Sequence, residues 1–379
     1  MRTIKMISAC LVAAMAFTAC QKEDVTQPVG STMKSVEVSL ENAVIKSSRG
    51  DAGAKIQRGD AVKVKSLKMF LVDDAGNTYT AKTKDGSADA QTWWSEVDLS
   101  SENLNATFHY VDNGCNKIVA VANLDEDLSY SDFLAMEKLK IGNEQNAGEL
   151  RLYAESYLTK KEGQHVDVGT DGTTYVSDVY EAALTLCPRI SRFEVDGFTI
   201  KFNPTTPKYS KINITDILFQ NYSPECGLAS GEASGDAVLH VADLNNQSEV
   251  YNWFNDTTKA KDWYWDSFDL TMTPQSPTKD TPIPLAYHIF SGKTVPTLVI
   301  KLLADDQPAY LHSRGFYKTD GTPINEFAPG MIYRMSAKGE VENDGSIPIK
   351  EDDIDPMDRC LEITVEVVDW VVELVYPEF

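Results

Sequence analysis

Over much of the chain, apolar and polar residues alternate with a period of two, the spacing of half-buried strands. In "SVEVSLENAVI", Val36, Val38 and Leu40 share one face. In "VKVKSLKMFLVDDAGNTYTA", Leu67, Met69 and Leu71 do the same, and "DDAGN" supplies a hairpin-type turn. "ATFHYV" and "KIVAVANL" predict further strands. A second block of strands follows in "YEAALTLCPRISRFEVDGFTIKF", "YSKINITDILFQNY", "IPLAYHIF", "TVPTLVIKLLAD", "MIYRMSA" and "LEITVEV". Helical spacing is confined to two short stretches. "SDFLAMEKLKI" places Phe133, Met136 and Leu139 at three-residue intervals, with Ser131 or Asp132 as cap, and "QSEVYNWFNDTT" can hold a second helix. The Pro-rich "TMTPQSPTKDTPIP" predicts a loop. No βαβ rhythm and no long repeat appears. The expected fold class is therefore all-β: two tandem antiparallel β-sandwich domains with one or two short helices, over residues 50–182 and 183–367.

The alternation changes phase near residue 368. Leu361, Ile363, Val365 and Val367 are odd-numbered; Trp370, Val372, Leu374 and Tyr376 are even-numbered. A bulge within one sheet shifts the phase in this way, and so does a hinge between a strand packed in its own domain and one free to pack elsewhere. The doubled valine, Val367–Val368, is the expected hinge.

Charge narrows the partners. The 379 residues carry 35 Lys+Arg against 57 Asp+Glu, a formal net charge of -22. Such a surface repels nucleic acid and anionic lipid head groups and keeps copies apart in solution. Chemistry is sparse. His109, His165, His240, His288 and His312 fall in no metal-binding spacing, and no nucleophile elbow, dinucleotide fingerprint or phosphate loop is present, so no catalytic residue, metal or cofactor is expected. Asp352 and Asp353 read as a solvated acidic turn. Trp263 to Asp266, "WYWD", reads as packing, with a sugar-stacking platform as the sharper alternative. Cys115, Cys187, Cys226 and Cys360 are far apart in sequence and read as buried thiols.

The first residues resemble a bacterial lipoprotein signal. Arg2 and Lys5 precede an apolar stretch that ends in "AFTAC", which resembles a lipobox and implies a signal peptide over 1–19 with acylation of Cys20. Lys22, Glu23 and Asp24 then resemble the surface-export signal of Bacteroidetes lipoproteins. "RGD" occurs twice, at Arg49-Gly50-Asp51 and Arg58-Gly59-Asp60, in a polar stretch where proteases cut.

The ordered set of these features resembles the fimbrillins, the major fimbrial subunits of Bacteroidales that build type V pili. The set comprises the lipobox, an early strand, an arginine in a polar linker, "VKSLKMFLVDDAG", "NKIVAVANL", "LTLCPRISRFEV", "PGMIYRMSA" and a terminal "VEVVDW". The resemblance spans essentially the whole chain. It implies transthyretin-like, Greek-key sandwiches and an acylated propeptide over 20–49. An arginine-specific protease would cut between Arg49 and Gly50, or alternatively between Arg58 and Gly59, and remove the strand Val36 to Ile45. Residues 368–379 of another subunit, with Val368, Trp370, Val372, Leu374 and Tyr376, would then fill the opened groove. Four large apolar side chains buried there contribute about 6–12 kcal/mol before ordering costs. The implied product is a head-to-tail homopolymer, a pilin shaft at the cell surface with host or bacterial receptors. Its precursor would be tied to the outer membrane only through Cys20. The alternative is a non-polymerising surface lipoprotein that binds glycan or host protein.

Overall fold

The computed structural model describes residues 33–40, 43–47, 62–82, 92–94, 106–125, 127–145, 150–168, 172, 174–259, 262–290, 295–318, 320–336, 346–354, 360–369 and 372–376. Strands dominate, as the period-two patterning requires. The earlier ones are β1 (Met33–Leu40), β2 (Ala43–Ser47), β3 (Val62–Val64), β4 (Leu67–Val72), β5 (Ala106–Asp112), β6 (Lys117–Ala122), β7 (Leu152–Tyr157), β8 (Thr159–Val168) and β9 (Thr174–Leu184). The later ones are β10 (Ile190–Lys201), β11 (Ile212–Gln220), β12 (Trp265–Met272), β13 (Thr278–Phe290), β14 (Thr297–Ala304), β15 (Gln307–Lys318), β16 (Met331–Ser336), β17 (Ser346–Lys350), β18 (Cys360–Asp369) and β19 (Val372–Tyr376).

The chain folds as an all-β sandwich. One sheet has the order β8-β9-β1-β5. A second has the order β7-β6-β4, with Cys187–Pro188 and Thr78–Tyr79 at its edges. Their buried residues, among them Val36, Val38 and Phe108 from the first and Met69, Ile118 and Leu152 from the second, belong to one apolar cluster. Residues 190–369 form a larger sheet in the order β12-β11-β14-β15-β18-β16-β10-β13, with β17 also paired to β10. Sheet membership therefore changes at Arg189, after the expected boundary at 182/183, which falls inside β9. Most ladders are antiparallel, but parallel ones join β1 to β9, β15 to β18, and β10 to β16 and β17. Parallel pairing arises where intervening chain, not a hairpin, returns a strand to its neighbour.

Local chemistry explains the main departures from the sequence pattern. The first helix, α1 (Tyr130–Leu134), is a single turn, capped by Ser129, whose Oγ accepts from Asp132 N at 3.1 Å. The cap thus lies two residues before the expected Ser131, and beyond Met136 the chain turns into a short strand, Leu139–Lys140. The second helix, α2 (Gln247–Asn255), is capped by Asn246 and buries Val250, Trp253 and Phe254 at helical spacing. The Pro-rich segment is a loop only in part, because β13 begins at Thr278. Its pairing with β10 breaks between Asp280 and Leu285, and Pro282 and Pro284 occupy that break, where no ladder N–H is needed. At the edge of the break Gly197 pairs with Asp280, and an added Cβ there would lie 2.5 Å from Lys279 O. The "DDAGN" turn forms as expected: Asp73 Oδ1 accepts from Ala75 N and Asn77 N, both at 2.9 Å, and Gly76 takes φ +83°.

Two of the quoted motifs meet in the core. Glu194 on β10 binds Arg192 Nε at 3.1 Å and Arg334 Nε of β16 at 2.8 Å, with Arg192 and Glu194 fully buried. A buried charge without its partner would be costly, so the burial of Glu194 depends on the two arginines beside it. Beside them Phe193 packs edge-on to Phe219, Phe316 and Phe327, at 5.0, 5.3 and 6.1 Å. Phe193→Ala is expected to cost about 3–5 kcal/mol in urea unfolding, whereas Tyr251→Ala on the exposed face of α2 should stay within about 0.5 kcal/mol. Equal effects would contradict this core.

Candidate functional site

The site is built around β1. Its side chains follow the strand period: Val36 is fully buried and Val38 is 2% exposed, while Glu37 and Ser39 face solvent. β1 is an interior strand. On one side it runs antiparallel to β5, with Val36 opposite Phe108 and Val38 opposite Ala106. On the other it runs parallel to β9, in register from Lys34–Asp178 to Leu40–Leu184. Both neighbours are contributed by residues beyond 105. Burying Val36 and Val38 contributes about 3–6 kcal/mol, and both rows of main-chain groups facing β1 depend on it for partners.

Polar contacts fix the register. Lys34 is buried; its Nζ donates to Cys115 O and stands 4.7 Å from the Tyr180 ring centroid. Burial pulls the Lys34 ammonium below its ordinary range, while nearby Cys115 and Asp112 oppose that shift. Pairing slips between Lys34 and Val36, and at this irregularity Ser35 Oγ and His109 Nδ1 share a hydrogen bond of 2.8 Å. The His109 ring stacks on His165 of β8, centroids 4.0 Å apart. His165 Nε2 in turn reaches Asp167 at 3.1 Å, and Tyr110 donates to the same carboxylate at 2.5 Å. On the exposed face Lys161 lies 2.8 Å from Glu37 and 3.4 Å from Glu181, which are opposite one another across the β1–β9 ladder. The lysine relieves a like-charge pair. A cleft opens at this end of β1, lined by Glu37, Val38, Ala106, Thr107, Lys161 and Glu181.

The residues expected to carry the function are placed unevenly. Cys20, Lys22, Glu23, Asp24, Arg49, Gly50, Arg58, Gly59 and Trp370 lie outside the described residues. The strand expected over Val36 to Ile45 divides into β1 and β2. The doubled valine is not a break: β18 pairs with β16 through Val367–Tyr333, Val368–Ile332 and Asp369–Met331 without a register shift. Main-chain pairing with β16 carries the strand through Val367 and Val368 to Asp369. The separate strand is β19, which holds Val372, Leu374 and Tyr376. β19 forms its own small sheet, parallel to β2 on one side (Ala43–Val372 to Ser47–Tyr376) and to β3 on the other (Val372–Val62 to Leu374–Val64).

The competing chemistry is taken up by packing. Trp265 is buried, donates from Nε1 to Asp216 at 3.0 Å and lies 5.0 Å from Trp253. Trp263 and Tyr264 pack on Tyr222 and His240, at 4.9 and 4.0 Å. Cys115, Cys187 and Cys226 are free thiols, the first and last buried. Among the described residues no group of three or more His, Cys, Asp or Glu is placed to hold a metal ion. The pairing of His109 with His165 was not foreseeable, since it depends on the β8-β9-β1-β5 strand order and not on spacing.

No family model matches the chain, and no curated protein does. Among solved structures the chain is similar to a candidate cell adhesion protein of Parabacteroides distasonis ATCC 8503. The two share 14% identity over 90% of this chain and 98% of the other, with a TM-score of 0.46. It is similar to a fimbrilin, FimA, of Porphyromonas gingivalis W83, at 11% identity, 90% and 99% coverage and a TM-score of 0.44. It is also similar to the fimbrial anchor protein Mfa2 of Porphyromonas gingivalis, at 11% identity, 90% and 99% coverage and a TM-score of 0.29. These are proteins of the kind the sequence resembles. At such identities and scores the likeness carries no argument about what this chain does; that rests on its own strands.

The histidine stack makes the hold on β1 pH-dependent. Burial keeps His109 below its ordinary value of 6.5, and His165 adds to the shift while Asp167 and Glu37 oppose it. The unfolded chain therefore takes up this proton first, and stability falls as pH drops below about 6.5 toward the lowered folded value. His240 and His312 are shifted the same way by burial, so they share in the loss. The urea midpoint of His109→Gln is expected to fall less steeply than that of the parent between about pH 7.5 and pH 5. Parallel curves would remove His109 from this account.

Proposed function

We propose that the chain is a pilin, a fimbrial shaft subunit that polymerises head to tail by strand exchange. The observation that carries this reading is the interior position of β1. It is the one strand of its sheet encoded before the arginine linker, and the strands on both sides of it are encoded after. Cutting at Arg49, or at Arg58, would separate β1 from the chain that holds its neighbours. The vacated slot would be flanked by Phe108 and Ala106 on one wall and Ala182 and Leu184 on the other, would open onto the apolar cluster that Val36 and Val38 share with the second sheet, and would have unpaired main-chain rows on both walls. A segment of alternating apolar residues restores both kinds of contact. Val372, Leu374 and Tyr376 of another copy supply the alternation that Val36 and Val38 withdraw. Because donor and slot are different surfaces of one chain, the contact repeats into a filament.

On this reading residues 1–19 are a signal peptide and Cys20 carries the lipid. Lys22, Glu23 and Asp24 direct the precursor to the outer surface, and the cut frees an adhesive extracellular fimbria from its anchor. Residues 50–188 and 189–369 serve as the two body domains, and those beyond 369 as the donor. The reading of a non-polymerising glycan binder has less support, since Trp265 is buried and the half-buried rings of Trp263 and Tyr264 pack on Tyr222 and His240.

A disulfide staple tests the exchange. Glu37 and Thr107 are exposed, opposed residues of β1 and β5. In Glu37→Cys/Thr107→Cys, oxidation should tie β1 to the body. An arginine-specific protease should cut the oxidised and reduced proteins alike, as intact mass will show. SDS-resistant ladders should form only after reduction, and deleting residues 370–379 should abolish them without unfolding the subunit. Ladders from oxidised, fully cut protein would sink the proposal.

A further inference from the structure

The small sheet β2-β19-β3 has a feature that the exchange reading does not require. Its outer strands end and begin at Ser47 and Val62. Arg49 and Arg58 both lie between them in sequence. Whichever arginine is cut, β2 goes with the departing peptide and β3 stays with the body. The strand held between them is β19, the proposed donor, paired over five residues with β2 and three with β3. The departing peptide also carries β1.

We infer that β2 and β3 form a docking site for the chain's own β19 in the uncut protein, and that the propeptide is both plug and latch. This inference rests on the exchange reading for its purpose, though not for its geometry. One peptide holds the acceptor slot shut through β1 and the donor strand down through β2. Its loss opens the slot and removes the longer of the two ladders on the donor in the same event, so neither sticky half is exposed alone. Both ladders on β19 are parallel, a slightly weaker pairing per residue than antiparallel, and the one that remains spans only Val62–Val64. The resting hold thus gives way to a full slot with two walls and a buried floor. An unlatched donor on an uncut chain would instead be a free strand seeking any sheet edge.

The test reads the uncut monomer. Val44 and Glu373 are register partners in the β2–β19 ladder. Val44→Cys/Glu373→Cys should crosslink within one chain on oxidation or with a short bismaleimide, and peptide mapping should join these two positions. Cutting this crosslinked protein should release no propeptide and give no ladders until the disulfide is reduced. The inference is overturned if the pair stays unlinked while Glu37→Cys/Thr107→Cys links under the same conditions, or if the link forms only between chains. Ladders from a protein that never shows the internal link would overturn the latch and leave the exchange standing. An internal link in a protein that never ladders would uphold the latch and end the exchange reading.

Discussion

The sheet β8-β9-β1-β5 depends on main-chain pairing at one interior strand. An edge strand can leave a sheet and expose a single row of N–H and C=O groups. β1 has β5 on one side and β9 on the other, so its departure would leave two rows unpaired and uncover the apolar cluster that Val36 and Val38 pack into. Buried main-chain groups tolerate no such vacancy. The slot must be refilled, or the sheet must close on itself or find another chain. That Lys34, Ser35, Val36, Glu37 and Val38 each have a specific partner in the flanking strands means that the uncut protein is complete as it stands.

The slot is also permissive in direction. β1 is antiparallel to β5 and parallel to β9, so a replacement strand running either way would be antiparallel to one wall and parallel to the other. On the exchange reading, selection among donors then falls to side chains: alternate apolar residues for the buried face, and small or charged ones for the outer face, where Lys161 would be left beside Glu181. His109, stacked on His165, demands a hydrogen-bonding residue near the position of Ser35. These demands are modest, and many strands could meet them in part. On the exchange reading, a permissive slot and a sticky donor in one molecule call for control over when each is exposed, which the placement of β1 and β2 before Arg49 would provide.

Much of this was legible in the sequence, because strand periodicity is local. Val36, Val38, Leu67, Met69 and Leu71 announce their buried face without help from the rest of the chain, and the Asp73–Asn77 turn announces its hairpin. What could not be read is which strands become neighbours. Nothing in "SVEVSL" says that it will lie between residues 106–112 and 174–184, and nothing in "VELVY" says that it will pair with 43–47. The doubled valine misled for a related reason. Side-chain phase reports which face is buried, whereas strand continuity is set by the partner, and β16 pairs with β18 as far as Asp369. The Pro-rich loop erred in the opposite sense: Pro282 and Pro284 are tolerated because β10 leaves a gap opposite them, a fact about another segment 85 residues away.

Charge sharpens the argument for a strand joint. A formal net charge of -22 makes copies repel as they come within about one ionic screening length, about 8 Å at physiological salt. Contacts made by complementary surface charge have little to work with on such a molecule, and exposed ion pairs are weak in any case. Strand addition has the opposite profile. Its main-chain hydrogen bonds and buried side chains act at contact distance and depend on shape and register, so they add up where the charge repulsion has to be outweighed. On the exchange reading, repulsion between closely approaching copies disfavours clumping through their faces, and the slot, where main-chain bonds and apolar burial add up, would be the favoured point of attachment. The acidity that argues against most partners is thus consistent with self-assembly through one narrow, directional joint.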